Sequence, residues 1–280
     1  MNILIAGTGI LGRNLIRLYL NRGDNVRALA LSQQDFEGLD HPRLETVTGD
    51  VTLPETLTGI CDDMDMVISC IGITRIKGKL THLDVDFHGN VNLLREAERA
   101  GVKKFGFISP EGTDRGFKNV PLLEAKYRFE ETLKAGSVPW VIFRAGGFFS
   151  DLLEMGKTAR HGPMFVIGSG RNYFTPVDVR DLAEIMVADM NQRSNEIVSV
   201  GGPEDMSWGK ICQTCFESYQ RTPRIITFPK GLCDVSVKLL KPFSKSAYAM
   251  GRLMVFMSTD DFPSQKRGRR RFSDYLAETL

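Results

Sequence analysis
The chain has 280 residues, 42% of them hydrophobic, and its 36 basic and 34 acidic side chains leave a net charge of +2. That length suits one α/β domain with an appended lobe, and the balanced charge leaves no broad basic field, so no nucleic-acid partner is expected. No apolar run approaches the roughly 18 residues that span a bilayer, and no charged, apolar leader precedes the first strand, so a soluble cytoplasmic protein is expected.

The first stretch, Ile3 to Arg13 (ILIAGTGILGR), carries most of the information. An apolar run enters a turn at Gly7, Thr8 and Gly9, and from Leu11 apolar residues recur at helical spacing through Leu15 and Leu18. This is strand, tight turn, helix, with glycines in the GxGxxG pattern. Gly7 allows the turn, Gly9 lets backbone approach a pyrophosphate, and Gly12 lets the helix lie close on the strand. Backbone N–H groups from Ile10 and Leu11 onward would face the phosphates, aided by the helix dipole. A merely structural βα turn is the alternative.

Gly23 is expected to close that helix, and Val26 to Leu31 reads as a second strand whose end meets the adenosine ribose. Its tip, Leu31, Ser32, Gln33 and Gln34, offers no acid to repel a 2′-phosphate. Arg13 and Arg27 either supply positive charge there or are solvated surface arginines. NADP(H) is mildly favoured over NAD(H).

Leu44 to Thr48 and Met66 to Ile71 read as buried parallel strands. Ligands of such sheets bind outside the carboxyl ends, which assigns Asp50, Val51, Cys70, Ile71 and Gly72 to the cofactor rim; Asp50 as a local cap is the alternative. A helix from about Asp84 to Ala100 precedes a fifth strand, Lys104 to Ile108, ending at Ser109. A sixth strand, Trp140 to Arg144, opens into Gly146, Gly147 and Phe148. This alternation predicts a Rossmann-type doubly wound parallel α/β sheet with a smaller C-terminal substrate lobe. We assign 1–155, with 175–200 returning to it, to the dinucleotide-binding domain. Residues 156–174 and 201–280 form the lobe and C-terminal helices.

Phe148, Phe149, Met155, Phe165 and Phe174 read as an apolar substrate cavity or as core. Residues 232–258 hold two rather apolar helical stretches, expected to cap a cleft or bury themselves in a dimer contact rather than lie on a membrane. The basic run from Lys266 to Arg271 reads as a solvated tail. Five cysteines form no paired framework, and their odd count fits a reducing compartment. Cys212 and Cys215 form a CxxC without a second ligand pair, and the four histidines show no ligand spacing, so no metal is expected.

With these pieces placed, the chain resembles the atypical short-chain dehydrogenase/reductase superfamily, particularly its NmrA-like and isoflavone-reductase-like members. The resemblance is carried by AGTGILGR, GDVT at 49–52, VISCIG at 67–72, AGVKKFGFIS at 100–109, LLEAKYRFEETL at 122–133, VIFRAGGFF at 141–149 and TPVDVRDLAE at 175–184. It implies that Gly7, Gly9, Gly12, Asp50, Ile71, Gly72 and Lys126 contact a nicotinamide cofactor, with Gly146, Gly147 and Phe148 near the nicotinamide. It also implies a homodimer, as is frequent in the family, and the apolar residues at 148–174 add the expectation of a small hydrophobic substrate. The superfamily's first catalytic serine corresponds to Ser109, although Pro110 and Glu111 follow where more hydroxyls are usual, and Lys126 to its ribose-holding lysine; a strand-end loop residue near the cofactor is the alternative for Ser109, and a surface lysine paired with Glu130 for Lys126.

Three departures stand out. Ala6 occupies the first glycine site of the family's usual turn, and Leu31 stands where many relatives carry an arginine. Leu122 stands four residues before Lys126, where the superfamily's proton-donating Tyr belongs. Neighbouring Tyr127 does not share the Lys126 helix face. The expectation is hydride transfer from NADP(H) to a hydrophobic carbonyl, quinone or enone; the alternative is a non-catalytic nucleotide sensor, regulator or assembly factor.

Overall fold
The computed structural model describes residues 1–73, 78 and 80–280. In chain order the elements are β1 (Asn2–Ala6), α1 (Ile10–Asn21), β2 (Asn25–Ala30), β3 (Leu44–Thr48), β4 (Met66–Ser69), α2 (Asn90–Arg99), β5 (Lys104–Pro110), α3 (Thr113–Gly116), α4 (Pro121–Ala135) and β6 (Trp140–Ala145). They continue with α5 (Phe149–Gly156), β7 (Met164–Ile167), β8 (Tyr173–Phe174), α6 (Val179–Gln192), β9 (Glu196–Val200), β10 (Met206–Ser207) and α7 (Trp208–Ser218). The last are β11 (Ile225–Phe228), α8 (Lys230–Leu240), α9 (Lys245–Met257) and α10 (Phe272–Thr279).

Two compact units share this chain. The first comprises Met1–Ser109, Leu122–Phe143 and Ala183–Val198; the second comprises Pro110–Pro121, Arg144–Leu182 and Ser199–Leu280. The central sheet has seven strands in the order β3-β2-β1-β4-β5-β6-β9, and the β3/β2, β2/β1, β1/β4 and β4/β5 pairs are parallel. This is the expected doubly wound Rossmann-type sheet, with strand order reversing between β1 and β4. Ile3, Leu4 and Ile5 are wholly buried because β1 is covered on both faces, and each side chain contributes about 1.5–3 kcal/mol of burial. The first unit's core continues through Val67, Phe105, Phe107, Phe129 and Ile142.

Two features of this unit depart from expectation. β3 is an edge strand, paired only with β2, and Glu45, Thr46 and Thr48 are exposed. The helix expected from Asp84 begins as a π-helix over Leu83–Gly89 before α2 follows. Gly89 ends this wide turn against Val51, whose Cγ2 would stand 2.7 Å from any Cβ there.

The second unit packs Phe149, Phe174, Trp208, Phe216, Phe262 and Phe272 into its own core. Phe149 and Phe174 are therefore core, while Phe165 is exposed, so the aromatic set does not line one cavity. Cys212 and Cys215 lie buried on α7, and burial pushes their thiols up to about 11 and about 12. The basic tail is not free in solvent. Lys266 pairs with Asp205 at 2.7 Å, and the Arg269 and Arg270 backbone N–H groups donate to the buried Asp181 carboxylate at 2.7 and 2.8 Å.

Candidate functional site
The turn after β1 is built by three glycines with three different reasons. Gly7 has φ +99, a conformation that favours glycine, and a Cβ there would lie 3.2 Å from the Cys70 carbonyl. Gly12 is excluded from bearing any side chain, because its Cβ would stand 1.8 Å from the Gly7 carbonyl oxygen. Gly9 is different. Its backbone (φ −64, ψ −175) suits any residue, and a Cβ there would meet nothing within 4 Å. Nothing in the protein's own packing calls for glycine at this position.

Gly9 is also the N-cap of α1, whose start has neither a side-chain cap nor an acidic residue in its first turn. The first N–H groups of a helix need outside partners and favour anions. An open approach to backbone and an uncapped positive helix end fit a pyrophosphate. Thr8, Ile10 and Leu11 belong to the same turn, Ile10 exposed and Leu11 buried beneath it. Arg13 returns to this turn, donating from Nε to the Thr8 carbonyl at 3.1 Å and from its other nitrogens to the Asp35 and Glu37 carbonyls at 2.7 Å each.

The β2 tip holds an acid just past Gln34. Ser32 and Asp35 form a capping box: the Asp35 carboxylate accepts from the Ser32 N–H and hydroxyl, each at 2.9 Å. Arg27, by contrast, lies mid-strand, bonded to Glu45 at 2.7 Å and to the Ile60 carbonyl at 2.9 Å. It is neither solvated nor at the tip. Asp50 turns its Oδ1 onto the Thr52 N–H (2.8 Å) and hydroxyl (2.7 Å), the local-cap geometry. Val51 packs on Gly89 and accepts from Asn92 through its carbonyl at 2.9 Å.

Beyond β4, Gly72 is exposed and sits over a buried charge cluster. A Cβ on Gly72 would stand 2.6 Å from Asp86 Oδ1 and 2.9 Å from Lys126 Nζ. Lys126, only 6% exposed, is not the surface lysine of the alternative reading. Its ammonium donates to the Ile71 carbonyl at 2.9 Å and the Ile108 carbonyl at 3.4 Å, and pairs with Asp86 Oδ1 at 3.3 Å. The Phe107 ring centroid lies 4.7 Å away, a cation–π contact. Two of its N–H donors thus meet carbonyls of the chain itself, while the Asp86 carboxylate and the Phe107 ring face its charge. Asp86 is wholly buried, its other oxygen 3.3 Å from both His82 Nδ1 and the Ile73 N–H. Asp86 Oδ1 accepts no hydrogen bond, so its compensation among the described residues is the Lys126 charge.

The first unit therefore brings together Gly7, Cys70, Ile71, Gly72 and Lys126 at the carboxyl ends of β1, β4 and β5, with Ser109 buried beside Ile108. Asp86, His82 and Asp35 escaped the sequence reading. Asp86 lies 40 residues from Lys126 in a run with no ligand spacing, and the one hint was a glycine at 72 that its own strand does not require. Gly146, Gly147 and Phe148 belong to the second unit. There a Cβ on Gly146 would stand 2.1 Å from the Thr175 carbonyl oxygen, Gly147 has φ +101, and Phe148 bridges Val177.

Burial raises the Cys70 thiol from 9.0 to about 12, against the opposing pull of Lys126. A neutral thiol in the fold has a definite pH signature. Below pH 9 both states keep the proton and nothing changes. As pH rises above 9 the unfolded chain releases it first, so stability falls by up to about 1.4 kcal/mol per pH unit until the folded thiol ionises. Urea midpoints followed from pH 8 to 11 should decline more steeply in the wild type than in Cys70→Ala. Parallel lines would refute the raised Cys70 thiol.

A family model described as NAD(P)H-binding matches residues 6–192. Photosystem II assembly factor Ycf39 of Cyanophora paradoxa is 30% identical over 240 residues, which cover 84% of this chain and 74% of that protein. The chloroplastic divinyl chlorophyllide a 8-vinyl-reductase of Arabidopsis thaliana is 25% identical over 287 residues, covering 91% of this chain and 66% of that protein. Among solved structures, the Escherichia coli NADPH-dependent quinone oxidoreductase QOR2 complexed with NADPH matches with a TM-score of 0.77 over 99% of each chain, at 14% identity, a likeness of fold alone. No helix among the described residues is long and apolar enough to cross a membrane.

Proposed function
The chain belongs to the NAD(P)H-binding family, and on that premise we propose that it is a reductase using NADP(H) to reduce a small hydrophobic quinone, enone or similarly activated carbonyl. The observation that carries the reading is Gly9: open space over a backbone that needs no glycine, at the start of an uncapped helix. When bound, a reduced nicotinamide supplies hydride. The chain's own residues hold the pyrophosphate at Gly9 and the α1 N–H groups, while Lys126 fixes the ends of β4 and β5 through the Ile71 and Ile108 carbonyls.

The acceptor class follows from what stands near Lys126. A positioned acid typically contributes about 10² to 10⁴ in rate, and Leu122 cannot supply one. Acceptors that take their proton from solvent need no phenol. The name of one similar protein, a vinyl reductase, supports this class. NADP(H) preference rests on the Arg13 guanidinium at the β2 tip, and the Asp35 carboxylate on Ser32 keeps the ratio small.

A second reading, a nucleotide-reporting assembly factor without turnover, draws on the Ycf39 relatives and on the three chain partners already facing the Lys126 ammonium. NADPH consumption against a panel of quinones, enones, simple ketones and, in reverse, secondary alcohols separates the two. We expect oxidation of NADPH by quinones or enones and none by simple ketones. Tight nucleotide binding with no turnover on any acceptor would favour the second reading, and robust alcohol oxidation would overturn the acceptor class.

A further inference from the structure
α8 is apolar on two opposite faces. One face packs Val237 against α9, where a Cβ on Gly251 would stand 2.7 Å from Val237 Cγ2. The other carries Leu232, Val235 and Leu239 at spacings of three and four, which align side chains along one helix face. These are 59%, 57% and 65% exposed, and Phe243, just past the helix, is 86% exposed. Four large apolar side chains in one short segment are a patch rather than scattered surface residues.

Charge decides what fits it. Residues 225–257 contain Lys230, Lys238, Lys241, Lys245 and Arg252 but a single acid, Asp234. Asp234 is neutralised by Arg252 at 2.7 Å. All four lysines are exposed, so the segment that carries the apolar face holds four cations and no further acid of its own to balance them. A second copy of this chain docked by a two-fold axis would set the same lysines against one another. An anionic bilayer surface accepts the apolar side chains among its acyl chains and pairs the lysines with its headgroups.

We propose that α8 and Phe243 form a lipid-facing surface that seats the second unit on an anionic membrane. This departs from the expectation that the helical pair would be covered by a cleft or a dimer contact, and it does not depend on which reaction the chain performs.

The test is flotation of the full-length protein with phosphatidylcholine vesicles containing about one-third phosphatidylglycerol. We expect co-flotation that is lost with phosphatidylcholine alone and in about 1 M salt, where the screening length falls to about 3 Å. Lys238→Gln and Lys241→Gln should each weaken binding about fivefold, and the pair Leu239→Gln with Phe243→Gln should abolish it while nucleotide binding stays at the wild-type level. Absence of flotation would overturn the proposal, as would equal flotation of the apolar pair variant. So would a lipid-free dimer, seen by light scattering, that the same pair dissociates.

Discussion

Gly9→Val keeps the fold and loses nucleotide binding. Its backbone lies where a β-branched residue is at ease, and its Cβ direction is empty, so the substitution costs the folded chain little. The lost binding follows from the same space. The α1 N–H groups offer short, charge-assisted hydrogen bonds to an anion, and a valine there holds the pyrophosphate out of reach. A weakening of at least about 100-fold, about 2.8 kcal/mol, is expected by calorimetric titration with NADPH. Unchanged thermal unfolding together with unchanged affinity would show that the turn is structural only. Gly7 and Gly12 are poor probes of this question, because a side chain at either collides with backbone or strains the turn.

Lys126→Ala should lower the unfolding free energy by about 3–5 kcal/mol, because it leaves a wholly buried carboxylate without its counter-charge. His82 offsets part of this through the other Asp86 oxygen. An exposed lysine would be worth less than about 0.5 kcal/mol, so denaturant unfolding discriminates clearly. Removing both charges, Lys126→Met with Asp86→Leu, should recover much of the loss, since an apolar pair of similar volume does not need compensation. A Lys126→Ala change below about 1 kcal/mol would mean that the pair is solvated after all. A fall in nucleotide affinity in Lys126→Ala, taken alone, then reports a disturbed Ile71–Gly72 segment as much as a lost ribose contact.

The chain's local chemistry determined the glycine turn, the parallel strands and most helices, because each depends on residues within one turn or one strand. Gly7, Gly9 and Gly12 were legible for that reason, and so was the absence of a phenol one helical turn before Lys126, where Leu122 stands. The tertiary structure decided the rest. Strand order left β3 at an edge, and spacing along the chain carries no statement about which strand has a neighbour on both sides. The pairing of Asp86 with Lys126 joins residues 40 apart through a π-helix, whose wider turn shifts a residue from the face that a 3.6-residue period assigns to it. The basic tail read as solvated because charge alone says nothing of the buried Asp181 that receives it. On α8, apolar spacing marks a face without saying whether anything covers it, since burial is a property of what stands opposite and not of the helix itself.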